Sequence, residues 1–530
     1  MIKITFTLIA LACLSLSVFA QDYYSRNTSV DIKNYDFVIE ISELNDTIIG
    51  VTTIQLVVKQ PIQELVLDLH NVNKEGKGMM VNDVYLDNKL VDFKQQEEQL
   101  IIKNAFDKNN KEIQIFYRGV PQDGLIISEN KFGDRTFFCD NWPNRAHHYI
   151  PVIDHPYEKA TSSFSIVAPL RYQIVSNGTL KESTNLQNGK RKTQWVSEQE
   201  LPTKVIVFGA AEFAMEKSGT VGAIPVYSWV YPQERKNGFY DYALAVEILD
   251  WFENKIAPYP YQQLSNVQSK TRYGGMENAG CIFYHENSID GNRGSEDLFA
   301  HEIAHQWFGN SASEADWHHV WLSEGFATYL TEVYKQETKG EEAFQKGMLK
   351  AKQRVLAFEK KYPGTATIDT SIVNLNQLLS PMTYQRAAWI LHTLRGVVGE
   401  DAFWNGVRNY YNKFEYSNAM SNDLKEELEK ASGKDLGLFF NQWLYQPGMV
   451  KMEMNWKYNE KKKELTIELV QPKGNWFVCP AQFKIEFEGN MPAYITKVKV
   501  IDEYRTSLII PLEDAPKSIE FDPYNNILRY

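Results

Sequence analysis

Two histidines four residues apart, His301 and His305, with one glutamate between them and another at 324, constrain this chain more than any other feature. In an α-helix, residues i and i+4 lie one above the other on the same face. The imidazoles of His301-Glu302-Ile303-Ala304-His305 can therefore offer nitrogens to a single ion. Glu302 points beside that pair and can reach water at the site without being a ligand. After the intervening residues 306–323, Glu324 supplies a third donor from a second helix. Three protein donors leave the fourth tetrahedral position open, which is the pattern of a catalytic zinc site rather than a structural one, with one Zn2+ per chain. The fold must then bring two helices together at this point.

The surrounding residues support that helix pair. Ser295 is a candidate N-cap, and Glu296 and Asp297 fall in the first turn, where the helix dipole favours anions. Leu298 and Phe308 recur at helical spacing, and Gly309-Asn310 reads as the stop. The second segment, Leu322 to Glu337, carries Phe326, Leu330, Val333 and Tyr334 along one side. A solvated pair of histidines is the bland alternative, and a chance match to this pattern is expected in roughly one such chain in a hundred. The helical context argues against it.

Periodicity divides the 530 residues into three parts. From Asp31 to about Phe213, alternating β-branched runs such as Thr52-Thr53-Ile54-Gln55-Leu56-Val57-Val58 are punctuated by Asn/Asp/Gly turns at 45–46, 87–88 and 177–178. From about Tyr240 the period becomes helical: 240–256, the two motif helices, 341–361, 383–397, 402–414 and 421–431. Alternation returns in 465–469, 483–487 and 495–500, read as a small β-sandwich. The expected fold class is multidomain α+β, with a β-rich domain over 21–216, a mainly helical domain over 217–448 and the sandwich over 449–530. Lys3, the apolar run Ile4–Phe19 and the small residue Ala20 read as a signal peptide at 1–20, so a secreted or periplasmic protein is expected. No other run is long enough for a membrane span. A net charge of −11 disfavours nucleic acid and anionic membranes as partners. Cys139, Cys281 and Cys479 allow at most one disulfide in the mature chain, and Cys13 is a weak candidate for lipidation.

Further motifs extend the pattern. Gly274-Gly275-Met276-Glu277-Asn278 precedes the first histidine, Pro151-Val152-Ile153-Asp154-His155-Pro156 and Lys159-Ala160 lie in the β-rich part, and Tyr259-Pro260-Tyr261 precedes the glycine pair. Trp321-Leu322-Ser323-Glu324-Gly325-Phe326-Ala327 carries the third donor, and Tyr384 follows. With these residues the chain resembles the M1 family of zinc aminopeptidases, the relatives of aminopeptidase N and leukotriene A4 hydrolase. That resemblance implies a β-saddle and a thermolysin-like catalytic domain with the active cleft between them, in a monomer acting on peptides with a free N-terminus. It assigns Glu302 as general base and then acid, and Tyr384 as hydrogen-bond donor to the developing oxyanion. It also makes Glu277 the partner of the substrate α-ammonium. Gly274 and Gly275 would let an extended peptide approach, beside Asn278 of the same motif, and Tyr273 and Met276 would wall the first side-chain pocket. A polar residue from the β-rich domain should complete the amine site, and Asn141 or Asp140 lies where it is expected.

The chain departs from the family pattern in three ways. Arg386-Ala387 stands where a Lys-Gly pair is usual, and Ser323 stands where Asn is common. The chain also reads as a short form without the long C-terminal helical domain of many relatives, which implies a leaving-group side open to solvent. Two alternatives remain open at this stage: a lipid epoxide hydrolase on the same zinc site, and an inactive peptide-binding homologue.

Overall fold

The computed structural model describes residues 22–489 and 491–530, so the readings of 1–20 as a signal peptide and of Cys13 lie outside the described residues. Strands dominate from Val30 to Val230, and the largest sheet has eight of them. In it, Val30–Glu40 pairs antiparallel with Ile48–Val58 and parallel with Ala160–Pro169. Along Ile48–Val58 every second residue is buried, including Thr52, Ile54, Leu56 and Val58, as the pleat requires of an alternating run. Asp87 and Asn88 both take positive φ (49° and 63°), which closes the hairpin between Gly78–Leu86 and Lys89–Leu90.

The helical part does not open on helices alone. A five-stranded mixed sheet runs in the order Ala214–Val221, Ile224–Val230, Leu264–Ser269, Cys281–His285, Gly275–Met276. Periodicity misses its last three strands because Leu264–Ser269 is buried at every residue and Cys281–His285 at all but the last, so neither alternates. Gly275–Met276 is the edge strand. It pairs only with Cys281–His285, with Gly275 opposite Tyr284 and Met276 opposite Phe283. Its other edge has no strand beside it among the described residues.

The helix expected over 240–256 is two helices, Arg235–Tyr242 and Leu244–Lys255. Then come Glu296–Ala304 (the motif helix), Trp321–Lys339, Glu341–Lys361, Ala387–Val398, Glu400–Phe414 and Ser421–Ser432, and finally Gly437–Tyr445, which periodicity did not indicate. The motif helix buries Phe299, Ala300, Ile303 and Ala304, with Phe299 edge-on to Tyr242 and Tyr284 at 5.4 and 4.8 Å. Burial of an aromatic of this size stabilises by about 1.5–3 kcal/mol. Ser295 sits at the cap position, but its hydroxyl donates to Ser288 O at 2.8 Å and caps no helix amide. The helix also ends before Gly309-Asn310, at Ala304, and its last turn tightens through Gln306 and Trp307.

Buried charges join the β-rich and helical parts. Lys159 donates to the carbonyls of Ser311 and Ser417, both at 2.7 Å, and to that of Asn310 at 3.3 Å. Lys204 pairs with Glu314 at 2.6 Å, both side chains being essentially inaccessible. After Tyr445 the chain is β-rich again: Glu453–Asn459, Glu464–Val470 and Arg505–Pro511 form one sheet, and Phe483–Phe487 pairs with Tyr494–Ile495 and Pro516–Phe521. The run 495–500, read as one strand, is divided between Tyr494–Ile495 and Lys499–Ile501. The architecture is the expected multidomain α+β, with an N-terminal β-rich part, a helical part and a C-terminal β-rich region. Cys139, Cys281 and Cys479 are buried free thiols. Among the described residues no helix is long and apolar enough to cross a membrane.

Candidate active site

His301 and His305 turn toward Glu324 on the neighbouring helix. Their Nε2 atoms lie 3.2 Å apart, and each is 3.3 Å from Glu324 Oε2. Tetrahedral coordination at zinc–donor distances of about 2.0–2.1 Å separates neighbouring donors by about 3.3–3.4 Å, so this triangle has the dimensions of three zinc ligands. The donor chemistry agrees, since two neutral imidazoles and a carboxylate suit zinc. Glu324 Oε2 is buried and accepts no hydrogen bond. Among the described residues this is the one group of three or more His, Cys, Asp or Glu side chains with donor atoms close enough to share an ion.

The surrounding groups orient these donors. His305 Nδ1 lies 3.2 Å from Phe308 O and 3.0 Å from Ser323 Oγ, so the proton sits on Nδ1 when Nε2 is a ligand. Ser323 therefore occupies its position as a partner of the ligand. Gly309, at φ 118°, leaves room for it: a Cβ there would stand 2.1 Å from Ser323 Oγ. Tyr384 donates to Glu324 Oε1 at 2.7 Å and stacks on His301 with ring centroids 6.0 Å apart. It lies in a π-helical turn, Met382–Arg386, a distortion that recurs at functional sites. Burial raises the Glu324 carboxyl, but the charge of His305 and the close approach of both imidazoles outweigh it and hold the group well below the usual carboxylate range. Glu302 moves the other way. Its burial pushes the carboxyl well above the ordinary value, reinforced by Glu277 and Glu324. Burial, with the charge of Glu324, likewise holds the Tyr384 phenol firmly protonated.

A cavity of about 210 Å³ unites these groups with the glycine motif: Tyr273, Gly274, Gly275, Met276 and Glu277 line it opposite His301, Glu302, His305, Glu324 and Tyr384. Gly275 is needed for that closeness, because a Cβ would stand 2.4 Å from Glu302 Oε1. Glu277 is 4% exposed and its Oε1 has no hydrogen-bond partner, while its backbone carbonyl is gripped by Gln306 Nε2 (2.7 Å) and Asn310 Nδ2 (2.6 Å). The backbone is thus fixed and the carboxylate left free.

The remaining predicted residues lie elsewhere. Asn278 is fully buried and does not line the cavity. Asn141 donates to Thr203 O and Ile206 O and accepts from Tyr149, and Asp140 accepts from Arg145, Thr271 and the Arg272 amide. Neither is among the cavity-lining residues; from that segment it is Trp142 that reaches in, held edge-on by Trp317 at 5.7 Å. Sequence reasoning also passed over Leu298 and Leu379 as lining residues. Arg386 donates to Thr367 Oγ1, Gln446 O and Gly448 O, tying its turn to the loop after Glu341–Lys361 and to the segment after Gly437–Tyr445.

Residues 240–443 match the Peptidase family M1 domain, and residues 31–205 match the Peptidase M1 N-terminal domain. The chain is similar to the alanine/arginine aminopeptidase of Saccharomyces cerevisiae, 26% identical over 77% of this chain and 49% of that protein. It is also similar to aminopeptidase 2, mitochondrial, of the same organism, 25% identical over 92% of this chain and 53% of that protein. The chain thus spans about half the length of the curated relatives it matches. Among solved structures, that of Legionella pneumophila aminopeptidase A in complex with aspartic acid superposes with a TM-score of 0.82. It is 17% identical, covering 96% of this chain and 60% of that one, which shows a shared fold.

Proposed function

The chain belongs to peptidase family M1, and on that premise we propose that it is a zinc-dependent aminopeptidase that removes N-terminal residues from peptides. One observation carries this reading: a buried carboxylate oxygen of Glu277, unpaired, faces the cavity that also contains the His301–His305–Glu324 triangle. An unpaired buried carboxylate is unfavourable unless a cation completes it, and the α-ammonium of a peptide is such a cation. An internal peptide bond offers none.

His301, His305 and Glu324 would hold zinc, which when bound supplies Lewis-acid polarisation of the scissile carbonyl and makes water at the site more acidic. Glu302 takes the proton from the attacking water and delivers it to the departing amine. The Tyr384 hydroxyl, hydrogen-bonded to Glu324, is near enough to turn to the developing oxyanion as donor. The free edge of Gly275–Met276 aligns the peptide backbone as an added strand, with Tyr273, Met276 and Trp142 about its first side chain.

A lipid epoxide substrate would require a long apolar tunnel, whereas this cavity holds about 210 Å³ and is lined by three carboxylates and two imidazoles. The test is a panel of aminoacyl anilides with their N-acetyl counterparts, assayed on zinc-loaded protein. Free-amine substrates should be cut and acetylated ones resisted; equal cleavage of the two sinks the proposal. The same reading includes a monomer, checked by light scattering, exported by a signal peptide, in which case N-terminal sequencing of the mature protein should begin at Gln21.

A further inference from the structure

Beyond Tyr384 lies a second cavity, of about 410 Å³, which shares Leu298, His301 and Tyr384 with the catalytic one. Its far side is built by the helices Trp321–Lys339 and Glu341–Lys361, which contribute Lys335, Lys350 and Arg354. Lys335 is already neutralised, by Asp297 at 2.9 Å and Glu332 at 3.0 Å. Lys350 and Arg354 are not. They stand at i and i+4 on one helix face, and neither forms an ion pair or hydrogen bond among the described residues. The lining thus carries three cations against two carboxylates.

The shared wall of Leu298, His301 and Tyr384 gives a peptide whose amine meets Glu277 and whose first peptide bond lies at the histidines a route for its remaining residues past Tyr384, into this space. We propose that the second cavity is a carboxylate subsite on the leaving-group side, in which Arg354 and Lys350 bind either the C-terminus of a short peptide or an acidic side chain near the cut. The guanidinium offers a planar pair of donors matched to a carboxylate, and the ammonium a second positive charge beside it. The inference deepens the aminopeptidase reading and rests on it for the direction in which substrate runs.

The test compares di-, tri- and tetrapeptides of alanine as free acids and as C-terminal amides. Amidated peptides with Glu or Gln as the first or second residue after the cut form a second series, with alanine anilide as control. The acid should be preferred over the amide by about fivefold or more in kcat/KM at one length, expressed in KM, because exposed charge pairs are individually weak. In the Arg354→Ala/Lys350→Ala double variant the ratio should fall to within about twofold, while anilide hydrolysis stays unchanged. A preference confined to the Glu peptides assigns the subsite to a side chain; one confined to the free acids assigns it to a C-terminus. Ratios near one throughout, or a preference that survives in the double variant, overturn the subsite while leaving the aminopeptidase reading standing. If the protein cuts none of these peptides, the aminopeptidase reading fails. Calorimetric titration of the same acids and amides then decides the subsite: tighter binding of acids that disappears in the double variant supports it, and equal binding overturns it.

Discussion

The two ends of the cleft present charge in opposite ways. At the amine end a single carboxylate, Glu277, is buried beside an edge strand and has its backbone clamped by two amide side chains. At the leaving-group end two cations, Lys350 and Arg354, stand on the solvent-exposed face of a helix. The same Coulomb attraction is worth several times more in the first setting than in the second, because water and salt screen the exposed pair. On the proposed reading, one end would then serve stringency and the other the grading of substrates against one another.

The largest effect should come from the floor between the two ends. Glu302→Gln should lower kcat by about 10²–10⁴-fold while zinc content, read by atomic absorption, stays stoichiometric, whereas His301→Ala should lose the metal. Full activity in a zinc-replete Glu302→Gln variant would falsify the assigned base. Next, Tyr384→Phe should cost about 10²–10³-fold in kcat with little change in KM, measured under saturating substrate. A change in KM alone would place the hydroxyl in ground-state binding instead.

Glu277→Ala is the direct challenge to the contrast between the ends. It should lower kcat/KM for free-amine substrates by about 10–100-fold and remove the discrimination against N-acetyl peptides, with zinc retained. If the loss is no greater than that from removing an exposed cation, burial is not what distinguishes the amine end. Smallest of all, Lys350→Ala should shift kcat/KM for aminoacyl anilides by less than about twofold, since these lack a leaving-group carboxylate.

The floor of the candidate site was legible because helical spacing alone brings His301 and His305 together, and the glycine motif announces a close approach. What was not legible had no periodic signature. Leu264–Ser269 contains Ser, Asn and Gln yet is wholly buried, so neither hydrophobicity nor alternation marks it as a central strand. Asn141 was a reasonable candidate by position, but its amide serves neighbouring backbone carbonyls, and only the fold reveals that Trp142 is the residue turned inward. Arg354 and Lys350 sit in a helix whose polar face looks like any solvated surface until the cavity behind Tyr384 is seen.

The buried amines of Lys159 and Lys204 also bear on how the protein is made. Both belong to the half of the chain that leaves the ribosome first, and both reach residues 310–314 after the motif helix, Lys159 also reaching Ser417, all synthesised more than a hundred residues later. A helical half produced alone would hold Glu314 without its cation, a loss of about 3–5 kcal/mol for a buried pair, and the carbonyls of Ser311 and Ser417 without their donor. Asn310, whose side chain steadies Glu277, lies in the same orphaned loop. The helical half is thus not a module that can be transplanted without loss: its buried Glu314 and the carbonyls of Ser311 and Ser417 depend on partners from the N-terminal half.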